Sequence, residues 1–348
     1  MAPFEFHRAA DATDAVRRFT AGDAGVHYVA GGTTMVDLMK LAVLEPARLV
    51  ELLDLRAEHS AIIAAEDGVS IGALATMAEV AAHLAIRARW SAVAEALDQS
   101  ASPQIRNAAT IGGNLLQRTR CCYFRDAVSS CNKRRPGSGC AALAGGRTRD
   151  LAVFGTSAHC IANYPGDLAV ALVALDASVT VLGADGGWRS LALGELHRAP
   201  GERPDRDTFL TPGELILAIH LPERQWDRSV YVKVKDRESY AFGLASVAVA
   251  IRMEGDVVAD LRIALGGLAA KPWRCRVAEN TARGRAMDRD LAAALAALCM
   301  EGAQADAERS FKVELGRRLV ERALLDALRA TGRKAALPGG CQADFAET

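Results

Sequence analysis

The chain of 348 residues carries no net charge, since 42 Lys and Arg stand against 42 Asp and Glu. That balance excludes a nucleic-acid binder working by bulk electrostatics. Long apolar runs are also missing. The longest uninterrupted one is the ten residues from Leu291 to Met300, whereas a bilayer span needs about 20, so no membrane span is expected. The opening residues, MAPFEFHRAADATDAV, are charged from position 5 onward and hold no apolar stretch, so no secretory signal is expected there. Arg17 and Arg18 are adjacent, but a Thr/Gly/Asp-rich stretch follows them and the pair reads as helix surface. No internal repeat or low-complexity tract is present.

What is there is globular. Hydrophobic residues make up 50% and charged residues 24% of the chain, and the length suits two or three compact units of about 100–200 residues. Cysteine is unevenly placed: Cys121, Cys122, Cys131, Cys140 and Cys160 fall within 40 residues, while Cys275, Cys299 and Cys341 are scattered. An unexported chain of this size does not need disulfides to fold. A clustered set then points to metal binding or redox chemistry.

Along the chain, FEFH reads as a strand, Asp11 as the cap of a helix running to Phe19, and VHYVA as a strand ending at Gly31 and Gly32. Thr33 or Thr34 could cap the next helix, VDLMKLAV, which makes a strand, Gly-rich turn, helix unit. LVELLDL reads as a strand, and SAIIAAEDGVSIGALATMAEVAAHL as two strands about Asp67 and Gly68 and then a helix. A second strand, glycine-pair, helix unit is expected over Gln104 to Leu116. Residues 117 to about 160 show no hydrophobic period, and structureless segments this long are usually functional or disordered. LAVALVALDASVTVLG restores a buried helix and a strand, residues 198–213 read as a surface loop, and LILAIHLPE as a strand stopped by Pro222. From Ser229 strands alternate and then give way to helices. The last long helix carries a stripe of Phe311, Leu315, Leu319, Ala323 and Ala327. The tail LPGGCQADFAET is expected to fray, which makes Cys341 a poor site candidate.

Two glycine pairs, AGGTT at 30–34 and TIGGN at 110–114, each follow an expected strand. Glycine permits positive φ and close backbone approach, so successive amides can face one anion. Either alone reads as an ordinary tight turn. Together, with hydroxyl and amide side chains beside them, they better suit a ligand with two phosphates, a dinucleotide being the natural candidate.

The cysteine segment from Gln117 to Arg149 holds eight basic residues and one acid, Asp126, a local charge of +7 in a neutral protein. Four thiolates on a cubane iron–sulfur core leave a site net negative, and nearby cations stabilise it and raise its reduction potential. The gaps of nine, eight and nineteen residues match neither the close pairs of structural zinc nor the common ferredoxin spacings. Tyr123 and Phe124 are few aromatics for a base-stacking loop. A cluster, zinc, a nucleic-acid loop and plain buried or disulfide-bonded cysteines all remain open on the residues alone.

AGGTTMVDLMK, QIRNAATIGGNL, YPGDLAVALVALDA, VKVKDRESYAFGLASVAVAI and ALGGLAAKPWR occur in that order over nearly the whole chain. In this the sequence resembles the FAD-binding medium subunits of molybdenum hydroxylases. The cysteine-rich insertion resembles that of a smaller branch with a [4Fe–4S] cluster, most of all the FAD and [4Fe–4S] subunits of bacterial periplasmic aldehyde oxidoreductases. The β subunit of 4-hydroxybenzoyl-CoA reductase is a more distant relative with a comparable insertion.

The resemblance implies an α+β fold. A two-part FAD-binding domain of the vanillyl-alcohol-oxidase/PCMH-like kind would occupy residues 1–55 and 56–224, with the cluster insertion at about 117–162. A C-terminal domain of a small antiparallel sheet plus helices would follow over 225–332, then a tail over 333–348. Ala30, Gly31, Gly32, Thr33 and Thr34 would hold the FAD pyrophosphate, and Thr110, Gly112, Gly113 and Asn114 would form a second wall. Asp167 matches a flavin-contacting acid, Lys233 a lysine beside the cofactor, and Ile216 would pack near flavin or adenine. On the residues alone, Asp167 and Lys233 read as a surface ion pair. Cys121, Cys131, Cys140 and Cys160 would ligate the cluster, with Cys121 preferred over its neighbour Cys122.

The role implied is electron transfer without substrate chemistry in this chain. Partners would be a large molybdenum-cofactor subunit, a small subunit with two [2Fe–2S] clusters and an external electron acceptor, with no nucleic acid. Two alternatives stand beside it: a hydroxybenzoyl-CoA-reductase-like complex with inward electron flow, and an iron–sulfur nucleic-acid binder. The location implied is periplasmic by co-export with a twin-Arg-signalled partner, or else cytoplasmic.

Overall fold

The computed structural model describes residues 1–19, 25–238 and 240–332. Cys341 therefore lies outside the described residues. The chain begins with β1 (Glu5–Arg8), β2 (Val26–Val29) and β3 (Arg48–Glu51), a parallel sheet in the order β1-β3-β2. Asp11 caps the helix Ala12–Arg17, its carboxylate accepting the Asp14 amide at 2.6 Å. The LVELLDL segment is a strand only as far as Glu51. The Glu51 side chain then accepts the Leu53 amide at 2.9 Å and the chain turns into a short 3-10 helix, Leu53–Leu55.

The second sheet is antiparallel, in the order β4-β5-β8-β6-β7, from β4 (Ile62–Ala65), β5 (Gly68–Gly72), β6 (Ser178–Leu182), β7 (Trp188–Ala192) and β8 (Leu215–Pro222). The helix Asp167–Ala174, of which every residue is buried, shares one hydrophobic core with this sheet. The third sheet, also antiparallel, runs β12-β11-β10-β9, with β9 (Arg228–Val234), β10 (Ala245–Glu254), β11 (Val257–Gly266) and β12 (Trp273–Arg274).

Strand β10 explains how the parts join. Side chains alternate across a strand, and here both faces are covered. Ala248 and Ala250 belong to the core that contains the Asp167–Ala174 helix, whereas Val247, Val249 and Ile251 belong to the core under the C-terminal helices. Small residues admit the helix on one side and branched residues fill the other, each buried branched side chain contributing about 1.5–3 kcal/mol. The helix Ser310–Ala330 buries Leu319, Ala323 and Ala327 of the expected stripe. Its first member, Phe311, is more than a third exposed and lies under the guanidinium of Arg149, 5.3 Å from the ring centroid.

Two expectations fail. The second glycine pair follows a helix, Pro103–Ala108, and sits inside another, Ile111–Leu115. The reason is local: Ser102 accepts the Ile105 amide at 3.4 Å and Pro103 occupies the first turn, a helix start rather than a strand. Residues 198–213 also do more than cover the surface. Pro204 is buried, Leu210 packs on the main core and Asp207 reaches under the cysteine segment. That segment has one four-residue helix, Cys122–Arg125, and two isolated bridges, Cys131 to Cys140 and Ser157 to Cys160.

Candidate functional site

A cleft of about 1100 Å³ opens where the first two sheets meet β9 and the segment leading to β10. Its walls include Ala30, Gly31, Gly32, Thr33, Thr34, Thr110, Gly112, Gly113, Asn114, Asp167, Ile216 and Lys233. The twelve candidates for the cofactor thus come together from five separate stretches of chain.

Two glycines have identifiable physical roles here. A Cβ on Gly31 would lie 1.8 Å from the carbonyl oxygen of Ala108, so the two glycine-bearing segments touch backbone to backbone. Gly32 has φ +69, a conformation that costs a side-chain-bearing residue strain. Thr34 stands at the cap of the helix Met35–Lys40 but its hydroxyl makes no capping bond, leaving it for the cleft. Thr110 does cap its helix, accepting the Gly113 amide at 3.4 Å. Asn114 donates its amide to Met77 Sδ at 3.3 Å, while its Oδ1 is buried without a partner. Arg120 Nη1, 4.0 Å from Asp37, is likewise buried without a hydrogen-bond partner in the same cleft. Unsatisfied buried polar atoms call for a partner. An amide oxygen and a guanidinium at a glycine-lined wall suit the polar chemistry of a dinucleotide.

Asp167 and Lys233 are not on the surface. They form a buried pair at 2.7 Å, with side chains 8% and 1% exposed. The topology makes them neighbours, because Asp167 opens a core helix and Lys233 lies on β9 near that helix. The same carboxylate accepts Ser100 Oγ at 2.9 Å and Tyr231 OH at 2.6 Å, and Lys233 also donates to the Gln99 carbonyl at 3.2 Å. Burial, with Asp167 close by, pushes the Tyr231 phenol well above its ordinary value, so it stays a donor. Ser100 and Tyr231 were not identified from the sequence, since nothing local distinguishes either from an ordinary core or cap residue.

Cys121, Cys131, Cys140 and Cys160 line a second, small and apolar pocket beside the cleft. Cys121, Cys131 and Cys160 are buried and Cys140 is half-buried. Cys122 is exposed and faces the large cleft instead. Burial pushes the Cys121 thiol up to about 12, against the pull of the Phe124 and Tyr123 amides that hydrogen-bond to it. Burial likewise raises Cys160, which accepts the Ala162 amide at 3.5 Å. Among the described residues no three His, Cys, Asp or Glu side chains converge to hold a single ion. All four of these cysteines nonetheless line one and the same pocket. Cys121 and Leu151 line both cavities and form part of the wall between them.

The +7 of the cysteine segment does not act as a free positive field. Asp37 pairs bidentately with Arg125 at 2.7 and 2.9 Å and lies 4.0 Å from Arg120. Asp207 pairs with Arg118 and Lys133, Asp236 with Arg149, and Asp150 with Arg147 and Arg149. Arg134 is spent on the carbonyls of Tyr123 and Phe124, both at 2.8 Å. Three acids distant in sequence, Asp37, Asp207 and Asp236, offset part of the +7, which a count over a contiguous window cannot register. Lys133 is the basic residue that lines the cysteine pocket.

Residues 2–224 match the family model described as the FAD binding domain in molybdopterin dehydrogenase, and residues 230–327 match the CO dehydrogenase flavoprotein C-terminal domain. The aldehyde oxidoreductase FAD-binding subunit PaoB of Escherichia coli (strain K12) is 43% identical over 304 residues, 87% of this chain and 92% of that protein. The glyceraldehyde dehydrogenase medium chain of Sulfolobus acidocaldarius is 26% identical over 83% of this chain and 84% of its own length. Among solved structures, carbon monoxide dehydrogenase from Hydrogenophaga pseudoflava superposes with a TM-score of 0.74 over 95% of this chain and 99% of that one. Its identity is 22%, so it shows the shared fold. No described helix is long and apolar enough to cross a membrane. The chain belongs to the FAD-binding subunits of the molybdenum hydroxylase family of oxidoreductases.

Proposed function

We propose that this chain is the electron-transfer subunit of a molybdenum-containing aldehyde oxidoreductase, binding FAD in the large cleft and a [4Fe–4S] cluster in the cysteine pocket. It would work with a large molybdenum-cofactor subunit and a small subunit carrying two [2Fe–2S] clusters. FAD, when bound, supplies the redox chemistry that links such partners to an external acceptor. The observation that carries the reading is the convergence of twelve residues from five stretches of chain on one cleft of about 1100 Å³. The aldehyde specificity is supported by the 43% identity to the aldehyde oxidoreductase subunit.

In that cleft the chain's own residues have definable tasks. The backbone around Gly31, Gly32, Gly112 and Gly113 lets the pyrophosphate approach closely. Asn114 Oδ1 and Arg120 Nη1 offer polar atoms that have no hydrogen-bond partner. Lys233, fixed by Asp167, places a cation at the cleft wall, with Ser100 and Tyr231 holding the carboxylate in place. At the second site Cys121, Cys131, Cys140 and Cys160 supply the four thiolates, and the amides facing Cys121 and Cys160 suit sulfur that carries negative charge. The FAD-binding parts would meet at residues 55/56, and the C-terminal domain would begin at 225.

The complex purified with its partners is expected to hold about one FAD, four irons and four acid-labile sulfides per copy of this chain, and aldehyde is expected to bleach the flavin absorbance. Zinc in place of iron overturns the cluster. Reduction of the flavin by ferredoxin but not by aldehyde replaces the reading with inward electron flow of the hydroxybenzoyl-CoA reductase kind. Recovery of the complex from the periplasmic fraction would place it there by co-export.

A further inference from the structure

Asp207 comes from the segment between β7 and β8 and itself lines neither cavity, yet its carboxylate meets one cation from each. Lys133, which lines the cysteine pocket, donates to Asp207 Oδ1 at 2.5 Å and to the Pro204 carbonyl at 2.8 Å. Arg118, which lines the large cleft, pairs with Oδ2 of the same carboxylate. Oδ2 is shut off from solvent and the Lys133 side chain is only 9% exposed. Arg118 and Asp207 are each 27% exposed, so it is chiefly the Lys133 side of this trio that water and salt screen less than a surface pair. Burial pushes the Asp207 carboxyl up, but Arg118 and Lys133 outweigh that and hold it below the usual carboxylate range.

We propose that Asp207 is a shared counterion, a positioning residue that sets the charge beside both redox sites at once. This inference rests on the reading of the two cavities as FAD and [4Fe–4S] sites. One carboxylate against two cations leaves a single surplus positive charge spanning the two cavities. Adding an electron at either site is favoured by positive charge nearby and opposed by negative charge. Removing the carboxylate leaves Lys133 and Arg118 without their common partner, so both sites become easier to reduce. Removing Lys133 alone leaves Asp207 to Arg118 and makes the cysteine site harder to reduce.

The test is a spectroscopic redox titration of the holo complex, reading flavin absorbance and the cluster's electron paramagnetic resonance signal in the same samples. Asp207→Asn is expected to move both midpoints in the positive direction. Lys133→Met is expected to move the cluster midpoint in the negative direction. The double variant should return the cluster midpoint towards its starting value while the flavin midpoint stays raised. Loosening of the loop alone would not give opposite signs in the two single variants followed by restoration in the double. If Asp207→Asn sheds its iron, Lys133→Met decides, and a cluster midpoint that stays or rises overturns the inference. A complex with FAD but no iron overturns the cluster reading itself. Full iron and flavin with midpoints unmoved in every variant overturns only the shared counterion.

Discussion

The large cleft and the cysteine pocket share a wall, yet they are held in shape by different means. The cleft is built on sheets and buried helices. Gly31 presses on the Ala108 carbonyl, Ile216 is fixed by β8, and Asp167 opens a helix buried along its whole length. The cysteine pocket is carried by a segment with one four-residue helix, two isolated bridges and a small apolar cluster of its own. Core packing fixes the cleft whether or not a ligand is there. On the proposed reading the cysteine segment would depend more on the cluster its sulfurs would hold, because binding free energy at such a site is also folding free energy. The contrast would then be between a preformed site and a ligand-shaped site side by side in one chain.

The sharpest attempt to break that comparison is Gly31→Val. Its Cβ would fall 1.8 Å from a backbone oxygen, so the 30–34 turn must move away from the Pro103–Ala108 helix. Flavin is expected to be lost while iron stays, as read by absorbance and iron assay. Simultaneous loss of iron would show that the two sites are not separately supported. The converse is Cys140→Ser, expected to abolish cluster absorption and speed amide exchange across residues 117–162 while largely sparing FAD. If flavin and cluster signals both survive, the ligand set is wrong.

Lys233→Met tests the rigidity of the cleft. It leaves Asp167 buried with two hydroxyl donors and no cation, and breaking a buried pair costs about 3–5 kcal/mol. A fall in melting temperature and weaker FAD binding are expected. An unchanged melting temperature would contradict the buried network of Asp167, Ser100 and Tyr231. The smallest effect belongs to Cys122→Ser, because Cys122 is exposed and turned away from the other four cysteines. Iron and flavin contents should match those of the unmodified chain, and a drop in iron would exchange the roles of Cys121 and Cys122.

Much of the cleft was legible because glycine leaves a specific mark. Gly31 and Gly32 stand where the backbone needs close approach and a left-handed turn, and few other residues tolerate either. The element before Thr110 is a helix where symmetry with the first unit suggests a strand, because Ser102 and Pro103 set a helix start. The cysteine cluster was visible as composition. Which of Cys121 and Cys122 faces the pocket was decided by burial.

The charges were the least legible part. A window count made the cysteine segment +7, and folding answers it with Asp37, Asp207 and Asp236, each distant in sequence. Asp167 and Lys233 looked like a surface pair and are instead 8% and 1% exposed.

Backbone-demanding turns, strand and helix periodicity and the crowding of thiols are properties of neighbouring residues, so the amino-acid order determined them. Which carboxylate meets which cation, which cysteine turns inward and which loop lies under a site depend on contacts between segments tens of residues apart. Coulomb interaction follows distance in space, not separation along the chain, and only the tertiary structure sets that distance.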